Sequence, residues 1–150
     1  MTMDTPRQDA LPDLSIVIPV YNEVENIAAL GRELDGALAA LPQSVEILLV
    51  DDGSSDGSWD AMRETAASMR VETALIRLRR NFGQTAAMSA GFHKASAPVI
   101  VTLDADLQND PRDISLLLDK LDDSVDVVSG WRRHRKDPFL NRRLPSMIAN

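Results

Sequence analysis

Five short apolar runs separated by stretches of helical period constrain this chain more than any other feature. LSIVIPVY at residues 14–21 is a continuous apolar run of the kind that fills a strand covered on both faces. Beyond it the period changes. Ile27, Leu30, Leu34, Leu38 and Leu41 recur at three and four, which predicts an amphipathic helix ending near Pro42. Val45–Val50 predicts the second strand, and Trp59, Met62, Ala66 and Met69 mark the face of a second helix. Thr73–Leu78 predicts a third strand, and Gln84 to about His93 a helix whose Ala86, Ala87, Ala90 and Gly91 permit close approach to a sheet. Val99–Leu103 is the fourth strand. Asp110-Pro111 then reads as an N-cap with proline in the first helical position, before an apolar stripe of Ile114, Leu117, Leu118 and Leu121. Val125–Val128 predicts a fifth strand reaching Gly130. Strands and helices alternating at this spacing specify a layered α/β fold with a largely parallel sheet.

The polar segments without an evident structural purpose follow strands: Tyr21-Asn22-Glu23, Asp51 to Asp56, Asp104 to Gln108, and Gly130 to Arg135. In an open parallel sheet such segments share the carboxyl edge, where ligands bind. Four loops distant in sequence are therefore expected at one cleft. Asp104 and Asp106 stand two apart at a strand end and can turn toward one ion, and hard oxygen ligands suit Mg2+ or Mn2+. Gln108 can orient a metal-bound water, a phosphate or a sugar, or serve only its own loop. The carboxylates of Asp51 and Asp52 can accept from a nucleobase N–H or ribose hydroxyls, or form an acidic turn in which Asp56 caps the Trp59 helix. Tyr21 can lie beside a base and Glu23 can meet its polar edge, whereas Asn22 reads as loop structure. Of Arg77, Arg79 and Arg80, one can meet a diphosphate through its rigid fork of donors, and Arg80 is the candidate.

Composition excludes several classes. With no cysteine, neither a disulfide framework nor a thiolate zinc site is available. No window reaches eighteen apolar residues, and residues 1–13 are too polar for a signal peptide, so a cytoplasmic domain is expected. Net charge is -7, yet residues 131–150 carry six Lys or Arg against the single acid Asp137. The preceding body is thus strongly acidic, which argues against nucleic-acid binding. The basic stretch can face an anionic ligand or membrane surface, or be a solvated tail. No GxGxxG follows the first strand, which argues against a dinucleotide oxidoreductase. A phosphoacceptor domain would use an acidic pocket but leaves RNFGQ and GWRRHR without purpose.

Five segments in order carry a family resemblance: IVIPVYNEVENI at 16–27, LVDDGSSDGSWD at 49–60, RNFGQTAAMSAG at 80–91, TLDADLQNDP at 102–111 and SGWRRHRKD at 129–137. The chain resembles inverting family 2 glycosyltransferases of GT-A fold, most of all the dolichyl- or polyprenyl-phosphate sugar transferases. The resemblance implies a Rossmann-like three-layer α/β/α architecture, while residues 1–13, which mix Pro6, Pro12, Asp and Arg without apolar period, read as a flexible leader. Residues 14–150 would then be the nucleotide-sugar-binding part of a domain that continues further. It implies that Pro19, Tyr21, Glu23 and Asp52 line a nucleoside site with Asp51 supporting its shape, and that Asp104, Asp106 and Gln108 surround Mg2+ or Mn2+ and the donor diphosphate. Arg132 and Arg135 would approach phosphate, joining Asp106 in the catalytic set. The implied donor is a UDP- or GDP-sugar, UDP favoured, and the acceptor a polyprenyl phosphate at the cytoplasmic face of the inner or plasma membrane. A further C-terminal part would supply the membrane contact and an acceptor-side carboxylate, and its absence could promote homo-oligomers. The alternative from another class is a module that binds nucleotide-sugar without turnover.

Overall fold

The computed structural model describes residues 11–130. They fall in two compact units that divide between Leu116 and Leu117. The larger unit is built on four parallel strands, Leu14–Val20 (β1), Val45–Asp51 (β2), Glu72–Arg77 (β3) and Val99–Thr102 (β4), in the order β3-β2-β1-β4. The helices are Val24–Leu38 (α1), Ser58–Ser68 (α2), Gln84–Lys94 (α3) and Asp113–Leu118 (α4). This is the layered α/β architecture expected from the alternation, and it agrees with the GT-A-like fold that the resemblance implies.

The central strands explain the apolar runs. Leu14, Ile16, Val17, Ile18 and Val20 of β1 and Ile47 to Val50 of β2 are buried, because both strands have a neighbour on each side and helices over the sheet. β3 and β4 are the edges, and their burial alternates between half-buried and exposed. Two different devices bring helices close. On α1, Ile27, Leu30, Leu34 and Leu38 are buried, and Gly31 lies where a Cβ would collide with Thr65 Cγ2 of α2. On α3, Ala87 and Gly91 are the buried residues, and a Cβ at Gly91 would collide with Val17 Cγ1 and lie 3.3 Å from Val50 Cγ2. The small-residue face of α3 therefore lies directly against β1 and β2.

Crossover handedness fixes the layers. From β1 to β2 to β3 the chain moves in one direction across the sheet, and from β3 it returns past β1 to β4. Right-handed crossovers put α1 and α2 on one face and α3 on the other, in agreement with the packing of α1 on α2 and of α3 on β1 and β2. The direction reverses between β1 and β4.

Away from that reversal, at the amino ends of the strands, a carboxylate clamps three segments. Glu46 Oε1 accepts from Ser15 Oγ at 2.5 Å and from both the N–H and Oγ of Ser96 at 2.8 Å, and Ser15 Oγ accepts from Ala97 N–H at 3.1 Å. Burial pushes the Glu46 carboxyl up, but these donors outweigh it and hold it below its usual value.

Two sequence expectations change. Val125–Val128 forms no strand: Asp122 accepts from the N–H and hydroxyl of Ser124 and, through its carbonyl, from Val125 N–H, and Val127 is 80% exposed. Alternating valines supply strand period, but a strand also needs a ladder partner, and none pairs with this segment among the described residues. The helix expected from Pro111 begins instead at Asp113. Asp110 does cap Arg112 N–H at 2.9 Å, but the first turn is closed by i to i+3 bonds, Asp113 N–H to Asp110 O and Ile114 N–H to Pro111 O, a tighter turn than α. The Arg112 side chain also grips Asp110, holding that carboxyl down to about 2.

Candidate functional site

A sheet whose winding reverses opens a crevice beyond the carboxyl ends of the strands at the reversal. Between β1 and β4 such a crevice is present, a cavity of about 340 Å³ lined by residues from four loops: Pro19 to Tyr21 and Glu23, Asp52, Asn81 with Gly83 and Gln84, and Asp104 to Asp106. Tyr21 is 48% exposed on its wall. Of the residues expected to bind a ligand, Pro19, Tyr21, Glu23, Asp52, Asp104 and Asp106 meet here.

The loop after β2 organises its neighbours. Asp52 N–H donates to Val20 O at 2.8 Å, extending the β1–β2 pairing by one step. Asn22 N–H donates to Ser54 Oγ at 3.0 Å and Ser55 N–H to Asn22 Oδ1 at 2.9 Å. Asn22 itself adopts φ 54, a left-handed conformation that asparagine tolerates. The first N–H groups of α1 have no intrahelical acceptor and find theirs on the same loop. Glu23 N–H donates to Ser58 Oγ at 2.8 Å, and Val24 N–H to Asp56 Oδ2 at 3.1 Å. Asp56 also accepts from the N–H and hydroxyl of Ser58 at 2.9 and 2.6 Å, so it ties the starts of both α1 and α2. Burial raises the Asp56 carboxyl and these donors lower it further, leaving it below its usual value.

The loop after β3 hangs from the same hub. Asp52 accepts from Phe82 N–H through Oδ1 and from Gly83 N–H through Oδ2, both at 2.8 Å. Gly53, at φ 71, lies so close to the chain that a Cβ there would sit 2.6 Å from Arg80 Cα and 2.7 Å from Asn81 N. Only glycine combines that conformation with that approach. Directly after this loop Gln84, the first residue of α3, donates from Nε2 to Asp104 Oδ1 at 2.9 Å, joining the ends of the loops after β3 and β4.

Some candidates lie off the cavity wall. Asp51 is fully buried and is not among the residues lining the cavity; its Oδ1 accepts from Ser54 N–H at 2.8 Å. Its Oδ2 has no aligned donor, but Arg77 Nε is 3.1 Å away, so the guanidinium offsets the buried charge as a cation. Arg77 also lies 5.1 Å from the Trp59 ring, which employs it in the scaffold. Arg79 and Arg80 flank the Phe82 ring at 5.9 and 4.5 Å. Gln108 lines a separate groove with Arg32, Glu33 and Arg112, while its N–H donates to Asp106 Oδ1 at 3.0 Å. Trp131, Arg132, His134, Arg135 and Asp137 lie outside the described residues. Sequence reasoning passed over Gln84 as a helix start; its amide at the end of RNFGQ was the available signal.

Among the described residues, no three His, Cys, Asp or Glu side chains cluster as a metal set. Two half-buried carboxylates on a cavity wall are nevertheless a donor set that fits Mg2+ or Mn2+. Such ions commonly take one or two protein carboxylates and complete their shell with water and ligand phosphate.

The model of glycosyl transferase family 2 matches residues 15–149. Among curated relatives, the chain is 40% identical over 139 residues to a dodecaprenyl-phosphate galacturonate synthase of Rhizobium johnstonii, covering 92% of this chain and 41% of that protein. It is 45% identical over 144 residues to an undecaprenyl-phosphate 4-deoxy-4-formamido-L-arabinose transferase of Salmonella paratyphi A, covering 95% of this chain and 44% of that one. The chain therefore spans less than half the length of these relatives. Among solved structures, a mannosyltransferase of Pyrobaculum calidifontis in complex with GDP-Man and Mn2+ superposes with a TM-score of 0.55 at 25% identity, covering 70% of this chain and 30% of that one. S. aureus TarS superposes with a TM-score of 0.58 at 19% identity, covering 72% and 32%, a likeness of fold. With a sheet wound to bring these four loops together and a family match over nearly its whole length, the chain belongs to glycosyl transferase family 2.

Proposed function

We propose that residues 14–150 form the donor-binding part of an enzyme that transfers a sugar from a nucleotide-sugar, UDP favoured over GDP, to a polyprenyl phosphate at the cytoplasmic face of a membrane. The observation that carries this reading is the meeting of Pro19, Tyr21, Glu23 and Asp52 with Asp104 and Asp106 around one cavity. The first group offers a ring and carboxylates to a nucleoside. The second offers hard oxygen atoms to a cation that a diphosphate can share. The names of the Rhizobium and Salmonella relatives support a polyprenyl-phosphate acceptor.

In the proposed reaction an acceptor phosphate oxygen bonds to the anomeric carbon from the face opposite the diphosphate. The bond from that carbon to the diphosphate oxygen breaks, and the nucleoside diphosphate leaves with its electron pair, inverting the centre. A phosphate acceptor is ionised near neutral pH and needs less help from a base than an alcohol. Mg2+ or Mn2+, when bound, neutralises charge developing on the leaving diphosphate. Asp104 and Asp106 would hold the cation, Gln108 would orient groups around it, and Arg80, Arg132 and Arg135 would oppose phosphate charge. Asp51 would support the shape of the nucleoside site.

Isothermal titration with UDP and GDP, each with and without Mn2+, tests the donor half. The expected result is Mn2+-dependent binding, tighter for UDP, that Asp104→Asn and Asp106→Asn weaken about a hundredfold. Equal binding with and without Mn2+, or no effect of either substitution, would count against it.

A further inference from the structure

The two acidic sides of the cavity are joined mechanically. Asp52 holds Gly83 N–H at 2.8 Å, Gly83 immediately precedes Gln84, and Gln84 Nε2 donates to Asp104 Oδ1 at 2.9 Å. Gly83 has φ 97, a conformation that turns the chain from the loop into α3 and that favours glycine. One peptide unit and two hydrogen bonds thus connect a carboxylate at the end of β2 with one at the end of β4, across the intervening β1.

We propose that Gln84 is a positioning residue that sets the orientation of the Asp104 carboxylate toward a divalent cation and the diphosphate it accompanies. This inference rests on the donor-binding reading above and deepens it. An amide N–H on Oδ1 fixes one oxygen of the carboxylate and so restricts how the group can turn. The side chain is suited to this role because it donates without bringing charge: a lysine would neutralise the carboxylate, and a carboxylate would repel it. Anchoring matters equally. Gln84 opens α3, whose Gly91 is seated against Val17 and Val50, and its preceding residue is gripped by Asp52, so the amide is presented from a fixed backbone. A hydrogen bond spanning 20 residues then couples whatever Asp52 contacts to the geometry of the cation ligand.

Gln84→Met removes the donor while keeping length and helix preference, and Gln84→Ala removes the side chain. In the full chain, titration of UDP with Mn2+ is expected to show affinity about tenfold weaker for both variants, with UDP affinity in the absence of metal and the thermal midpoint unchanged. In an Asp104→Asn background, Gln84→Met should have no further effect on binding. Equal losses with and without Mn2+, or losses that add in full to that of Asp104→Asn, would assign Gln84 a merely structural role and overturn the proposal. Mn2+-dependent binding that neither Gln84 variant weakens would overturn the positioning role alone. Failure of the wild-type chain to bind UDP in an Mn2+-dependent manner would overturn the donor-site reading and this inference with it.

Discussion

The loops after β2 and β4 each begin with acidic residues at a strand end, yet they differ in how their carboxylates are employed. After β2, Asp51 and Asp52 are 0% and 3% exposed, and their oxygens accept from Ser54, Phe82 and Gly83 N–H groups of the surrounding loops. After β4, Asp104 and Asp106 are half-buried on the cavity wall. A buried carboxylate is tolerated only with donors or a cation to match it, so the first pair holds loops in place, and of the two only Asp52 also borders the cavity. The second pair combines accessibility with orientation by Gln84 and by Gln108 N–H, which suits a ligand that arrives from solvent. In the proposed function, acidic residues in one setting build the site, and in the other they meet what enters it.

Substitutions on the β2 side should therefore act on stability first. The largest effect is expected at Gly53→Ala, where a Cβ would press on the backbone of Arg80 and Asn81 at a left-handed φ. A loss of about 3 kcal/mol in denaturant unfolding is expected, and a loss below about 1 kcal/mol would show that the two loops can separate without cost. Asp51→Asn should follow, at about 2 kcal/mol, because it removes the charge that Arg77 faces and leaves buried polar atoms poorly matched. Asp52→Asn keeps the shape but turns an amide toward the N–H groups of Phe82 and Gly83. About 1 to 2 kcal/mol is expected, together with weakened UDP binding, since Asp52 also borders the cavity.

How much of this was legible in sequence follows from the range of each interaction. The apolar run of β1 and the three-four spacing of α1 are local patterns, and both elements form there, although α1 stops at Leu38 and leaves Leu41 in a tighter turn. The small residues of α3 also announced close packing, which Ala87 and Gly91 provide. Strand order is not local, so the reversal between β1 and β4 that opens the cavity could be expected only as a property of the fold class. The fifth strand failed for a related reason: Val125 and Val127 have the period, but pairing depends on a neighbour. Nor could DDGSSD and DADLQ be told apart by composition. The distinction lies in hydrogen bonds such as Asp52 to Gly83 and Gln84 to Asp104, whose partners are 31 and 20 residues apart.

The smallest expected effect lies far from the cavity and separates general stability from the site. Glu46→Gln should cost about 1 kcal/mol at neutral pH, without changing UDP binding. The Glu46 carboxyl is held below its usual 4.5 in the folded chain, so its contribution is present above that value and is lost as pH falls through the lower, folded one. Melts of wild type and variant should accordingly converge as pH falls below the usual carboxylate range. A constant difference across that range would mean that the Glu46 charge plays no part in the clamp.

The most direct test of the division between scaffold and ligand acids is a crossed measurement on Asp51→Asn and Asp104→Asn, each assayed by thermal midpoint and by UDP titration with Mn2+. The account predicts a midpoint several degrees lower for Asp51→Asn, and for Asp104→Asn an unchanged midpoint with about a hundredfold loss of Mn2+-dependent affinity. An Asp104→Asn chain that melts early yet binds as wild type, or an Asp51→Asn chain that keeps its midpoint while losing the metal-dependent term, would contradict it.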